Sequence, residues 1–150
     1  AALIGHMAWH LAQFNIAHMV APLDQPVMKG FVDAIEHINE VAAGFYLATV
    51  RRRSGRGDPR RTTAVVNMSV WESAEALEGY VYRSDHIGVL RRRKEWFLPS
   101  EGPSFVLWWV PAGHLPKVAE ARERLQQLAQ SGPTATAFTF RETFSPPEPA

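Results

Sequence analysis

The chain contains no cysteine, which excludes a disulfide framework, a thiolate metal site, an iron–sulfur cluster and a cysteine nucleophile. It also has no apolar run near the roughly 18 residues that span a bilayer, and its start lacks the basic region and long apolar core of a secretory signal. A cytoplasmic protein with no membrane partner is the corresponding expectation. An excess of one charge is missing too: 16 Lys and Arg stand against 15 Asp and Glu, for a formal charge of +1. That is too small to set up a global field that gathers nucleic acid or anionic lipid. No internal repeat, nucleophile elbow, P-loop or dinucleotide fingerprint is present.

What remains is a 150-residue chain that is 46% apolar, enough to bury the core of one domain. Gly5-His6-Met7 resembles a cloning scar joined to an initiator methionine, so residues 1–6 are expected to be a tag remnant, 7–145 one domain and 146–150 a flexible tail. Trp9 to Ile16 alternates as a first strand, with His10, Ala12, Phe14 and Ile16 on one face and Trp9, Leu11, Gln13 and Asn15 on the other. A turn at 21–26 offers Asp24 as N-cap and Pro26 for a first helical turn. Val27, Phe31, Ile35 and Ile38 then recur at helical spacing until Gly44.

Phe45 to Val50 reads as a second strand. The arginine-rich stretch 51–61 is too polar and too rich in Gly and Pro to be buried, and reads as a solubilising hairpin loop. Thr62 to Trp71 is a third strand, β-branched and antiparallel to the second. Ser73 caps a helix carrying Leu77, Tyr80 and Val81, and a second helical piece runs from His86 to Phe97. Ser104 to Val110 is nearly all apolar, the pattern of a strand covered on both faces. A last helix spans Val118 to Ala129 and ends at Ser131-Gly132-Pro133. Ala137 to Phe144 is expected as a fifth strand.

The order βαββαβ followed by a helix and a strand predicts an α+β ferredoxin-like domain with an added C-terminal helix and strand. One sheet face is covered by the chain's own helices. The apolar third and fourth strands imply that the other face is covered as well, and a second subunit is expected there.

The segments 10–15, 66–73, 82–86, 90–97 and 107–114, among them Asn67-Met68-Ser69-Val70-Trp71 and Leu107-Trp108-Trp109-Val110, resemble a bacterial family of unknown function. That family lies among the dimeric α+β barrels, near the antibiotic-biosynthesis monooxygenases. The resemblance implies a homodimer and specifies no reaction, because the superfamily holds cofactor-free monooxygenases, isomerases, haem enzymes and dimers without known catalysis. The arginine-rich hairpin departs from the family pattern.

Asn67, Ser69 and Trp71 share one face of the predicted strand. An amide beside an indole is similar to the Asn-x-x-x-Trp pairing of cofactor-free monooxygenases that oxidise phenolic polyketides. There polar groups hold an enolate oxygen, and a basic residue assists, for which Arg91 is the candidate here. An electron-rich aromatic anion reacts with oxygen unaided, so the protein need only bind, deprotonate and stabilise it. The competing reading makes Trp71 a core residue.

His86 and His114 are the candidate proton carriers, since imidazole exchanges protons near neutral pH. The structural alternatives are a helix cap for His86 and a carbonyl-bonded loop residue for His114. Tyr82, Trp96 and Trp108 complete the candidate substrate-binding aromatics. At most one of Trp108 and Trp109 can face a given side of the strand. The expected ligand is a hydrophobic or aromatic small molecule, acted on without a cofactor by oxygenation or by proton-transfer chemistry such as cyclisation. Non-catalytic small-molecule binding is the first alternative. Haem held by one of the histidines is the second. No metal site is expected. Arg91 to Lys94 spreads its charge around a helix, and the 51–61 loop has no aromatics for stacking, so nucleic acid is not an expected partner.

Overall fold

The computed structural model describes residues 9–34, 46–51, 63–81, 91–100 and 102–147. Four strands form one sheet: β1 (Trp9–His18), β2 (Tyr46–Arg51), β3 (Thr63–Trp71) and β4 (Phe105–Pro111). Their order is β2-β3-β1-β4 and every neighbouring pair is antiparallel. With helical segments following β1 and β3, this is the ferredoxin-like arrangement expected from the order of elements. The helical segments are α1 (residues 29–34, entered through the 3-10 turn Pro26–Met28), α2 (Ala74–Val81), α3 (residues 91–96) and α4 (Val118–Ser131).

Register places the side chains. Leu11 pairs with Trp71, Gln13 with Ser69 and Asn15 with Asn67 on one side of β1, and the same three residues meet Trp109, Leu107 and Phe105 on the other. Because side chains alternate along a strand, all nine lie on one face. Ala12, Phe14, Val66, Val106, Trp108 and Val110 lie on the opposite face.

Helix α2 presents Leu77 to the first face, where it packs with Leu11, Leu107 and Phe138. Further along, Met28, Phe31 and Trp96 close over Val65 and Met19. Ser73 starts α2 as its sequence position predicts, its Oγ accepting the Ala76 N–H at 3.1 Å. Asp24 does not cap the first helical turn. Gln25 occupies that position without a side-chain bond, and Pro26 lies at the turn's start with no N–H to satisfy.

The C-terminal third covers both faces of the sheet, and one expectation about it changes. The last helix packs Ala121 and Leu128 onto Ala12, Phe14, Trp108 and Val110, so the chain's own α4 covers much of the face for which a second subunit was invoked. Ile16, Met68 and Val70 beside it are only half buried.

The residues from 137 to 144 do not form a fifth strand. Phe138 exchanges both backbone hydrogen bonds with Leu107, at 2.7 and 2.9 Å, and pairing with β4 stops there, because the segment is bent by tight turns at Thr134–Ala137 and Thr139–Glu142. The Thr134 and Thr139 hydroxyls accept the N–H two residues on, at Thr136 and Arg141, and such side-chain bonds compete with a ladder. The two turns still deliver Phe138, Phe140 and Phe144 to the first face. The apolar run of β4 is thereby explained from both sides. Trp108 faces α4, while Trp109 faces the C-terminal segment and donates its Nε1–H to the Phe144 carbonyl at 2.8 Å.

Candidate functional site

The buried polar side chains among the described residues are Gln13 and Ser69, each 5% exposed. They are cross-strand partners on the two central strands, on a face whose other buried residues are apolar. A buried polar group left without a partner costs about 1–3 kcal/mol, and here the partners come from neighbouring strand positions. Gln13 Nε2 donates to Asn67 Oδ1 at 2.9 Å and to Ser69 Oγ at 3.0 Å. Trp71 Nε1 donates to the same Ser69 Oγ at 2.7 Å. Asn67, Gln13, Ser69 and Trp71 therefore form one hydrogen-bonded chain across β1 and β3.

The walls are aromatic. The Trp71 ring lies 4.9 Å from that of Tyr80 at 32°, and Tyr80 comes from the same side of α2 as Leu77, one helical turn away. Phe105, the cross-strand partner of Asn15, stacks on Phe140 with centroids 5.6 Å apart. Asn15 and Asn67 are half buried. The Phe105–Phe140 pair thus borders the half-buried Asn15–Asn67 end of the polar chain, and the Trp71–Tyr80 pair borders its other end, beside Leu11. Such a site can hold a flat apolar body and hydrogen-bond an oxygen on its edge.

The structure brings Asn67 and Trp71 together, through Gln13 and Ser69. It does not add the other described candidates to that chain. Trp96 is 1% exposed in the cluster around Phe31, with the Arg92 guanidinium over its ring at 4.7 Å. Trp108 is completely buried on the opposite sheet face, and its Nε1 has no hydrogen-bond partner among the described residues. Arg91 is exposed. His114 sits on the surface and meets both carboxylate oxygens of Glu120 through Nε2, at 3.1 and 3.2 Å. His86 and Tyr82 lie outside the described residues.

His114 does not fit an axial haem ligand, since the nitrogen that would bind iron faces a carboxylate and the ring is 44% exposed. No group of three or more metal-ligating side chains occurs among the described residues, and no helix among them is long and apolar enough to cross a membrane.

Gln13 was not among the candidates drawn from sequence. Its signal is the alternation of β1, where an amide follows Leu11 on the face that also carries Trp9 and Asn15. Period alone does not tell which of two amphipathic faces will be buried against helices.

The profile of the family described as Domain of unknown function (DUF3291) matches residues 10–150. No curated protein matches the chain. Among solved structures, a dabb family protein with a ferredoxin-like fold from Mesorhizobium loti is similar, at 14% identity and TM-score 0.43, over 72% of this chain and 98% of that one. A protein of unknown function from Nitrosomonas europaea gives 12% identity and TM-score 0.45 over 75% and 99%. A protein assigned as an antibiotic biosynthesis monooxygenase from Chloroflexus aurantiacus gives 7% identity and TM-score 0.44 over 73% and 98%.

Proposed function

The chain belongs to the DUF3291 family, and from that premise we propose that it is a small-molecule tailoring enzyme acting on an aromatic or polyketide-like substrate that ionises to an enolate or phenolate. The observation that carries this reading is the hydrogen-bonded chain Asn67–Gln13–Ser69–Trp71 set beside the Trp71–Tyr80 ring pair. The flat substrate would lie against the aromatic rings with its oxygen at Asn67. Fixed donors aimed at a developing oxyanion stabilise it more than mobile water does. Deprotonation makes the ring electron-rich enough to reduce oxygen directly or to cyclise, so no cofactor is required by the proposal. His86 is the proton acceptor proposed from sequence, because His114 is held by Glu120 at the surface. A homodimer belongs to the same proposal, with the half-buried Ile16, Met68 and Val70 as the strip left for a partner.

One observation favours a second reading. None of the side chains in the hydrogen-bonded chain titrates near neutral pH, so the described residues supply groups suited to holding a ligand rather than to moving a proton. A non-catalytic protein that holds an aromatic ligand would need nothing more.

The test is oxygen uptake and product formation with a panel of polyhydroxylated aromatics in air-saturated buffer. Asn67→Ala is expected to lower turnover about 10²-fold or more, the usual effect of deleting one oxyanion donor, and His86→Ala to abolish it, with folding unchanged. His114→Ala should change turnover less than about twofold and stability by less than about 1 kcal/mol, as for an exposed ion pair. Unchanged turnover in both Asn67→Ala and His86→Ala removes the enzymatic reading. Retained ligand affinity without turnover in the wild type leaves the binding protein.

A further inference from the structure

We infer that Gln13 is a positioning residue that gives the site its preference for an anionic oxygen, by turning the donors of Asn67 and Ser69 toward the ligand. This rests on the proposed aromatic-binding site and goes beyond it in naming what sets the charge selectivity.

A primary amide carries two N–H donors on nitrogen and a carbonyl acceptor. Both contacts from Gln13 to β3 come from Nε2, one to Asn67 Oδ1 and one to Ser69 Oγ, and its Oε1 takes part in neither. Asn67 is thereby held by its acceptor. Oxygen and nitrogen diverge from the same carbon in a carboxamide, so fixing Oδ1 on Gln13 turns Nδ2 away from Gln13, and Asn67 is half buried where Gln13 and Ser69 are buried. Ser69 Oγ accepts from Gln13 Nε2 and also from Trp71 Nε1. With both lone pairs used, its hydroxyl is left only a proton to give.

Two side chains that could each have offered either polarity are thus committed to offering donors. The commitment originates in a residue that is 5% exposed and therefore held by packing. An array of donors favours the charged form of an acidic ligand. The chemical class selected is an ionised hydroxyl on an aromatic or enolic frame, in preference to its protonated form.

The experiment uses 4-nitrophenol, whose ionised and neutral forms absorb at different wavelengths, titrated with the full-length protein across pH. In the wild type the anion is expected to bind at least tenfold more tightly than the neutral phenol, seen as a lowered apparent ionisation pH of the bound probe. Gln13→Met keeps length and burial but removes the amide. It should bring the anion-to-neutral ratio to within about threefold of unity, because Asn67 can then rotate. Gln13→Glu replaces the donor by an acceptor, which turns Asn67 Nδ2 inward, and should carry the ratio below one.

A residue that merely supports the fold would weaken both forms of the probe equally. A Gln13→Met variant that is folded by circular dichroism and retains the wild-type ratio therefore overturns the inference and leaves the binding site standing. Equal binding of both forms by the wild type overturns it as well. Binding of neither form by the wild type overturns the inference together with the aromatic-site reading. If Gln13→Glu does not fold, Gln13→Met alone decides.

Discussion

Trp108 should be an unusually cheap tryptophan to shorten. It is completely buried on the α4 side of the sheet, and its Nε1–H has no hydrogen-bond partner among the described residues. Replacing it with Phe removes about two carbons' worth of apolar burial, worth roughly 1.6 kcal/mol at ~0.8 kcal/mol per group. It also leaves a cavity of roughly 40 Å³, worth about 1 kcal/mol at ~24 cal/mol per Å³. Against this stands the buried unpaired donor, whose desolvation costs about 1–3 kcal/mol and disappears with the nitrogen. The two sides nearly cancel, and the net cost of Trp108→Phe is expected at about 0–1.5 kcal/mol.

Trp96 is the internal control. It is 1% exposed in the same sheet's other core, but its nitrogen is not among the buried unpaired donors. Trp96→Phe therefore incurs the apolar loss with no relief, about 2–3 kcal/mol, and part of the Arg92 stacking as well. Urea unfolding followed by far-ultraviolet circular dichroism gives both numbers, provided the slope with denaturant is unchanged between variants. A Trp108→Phe variant that costs as much as Trp96→Phe, or more, would refute the account, since it would mean the donor carries no penalty.

The sheet was legible because its strands announce themselves in two ways. β1 and β3 alternate, and β4 is apolar on both faces, so their existence and their antiparallel order followed from period and from the short connections. The pattern of β4 could not say what covers each side. An apolar face is satisfied equally by a second subunit or by the chain's own helix, and α4 turned out to occupy much of it. The same ambiguity hid the C-terminal segment. Phe138 and Phe140 alternate like a strand, yet local threonine hydroxyl bonds bend the backbone, and strand patterning does not register that competition.

At the site, spacing on one strand was enough to place Asn67, Ser69 and Trp71 on one face. Gln13 comes from another strand, 56 positions from Ser69, and its role exists only through cross-strand register. Trp108 shows the converse. Its neighbour Trp109 is on the face that carries the polar chain, and a one-residue offset on a strand exchanges the two faces.

Two further substitutions probe how the layers are held. Gly30→Ala should destabilise by about 1 kcal/mol although Ala is the better helix former, because the new Cβ would stand 3.1 Å from Trp96 Cζ2 and from both terminal nitrogens of Arg92. In an Arg92→Ala background the cost should shrink but persist, since Trp96 is fixed against Phe31; a gain in stability for Gly30→Ala alone would show that the approach is not tight. Phe138→Ala should cost about 3–5 kcal/mol, or roughly 10 °C in melting temperature for a chain of this length. Phe138 is 1% exposed and packs against Trp109 and Phe144, which makes the turn-rich segment a wall of the core although it forms no strand. A frayed terminal segment would instead lose no more than about 0.5 kcal/mol on the same substitution, so a thermal unfolding shift below 2 °C would mean that the first sheet face is open on its β4 side and that the Phe105–Phe140 wall of the candidate site is not held in place.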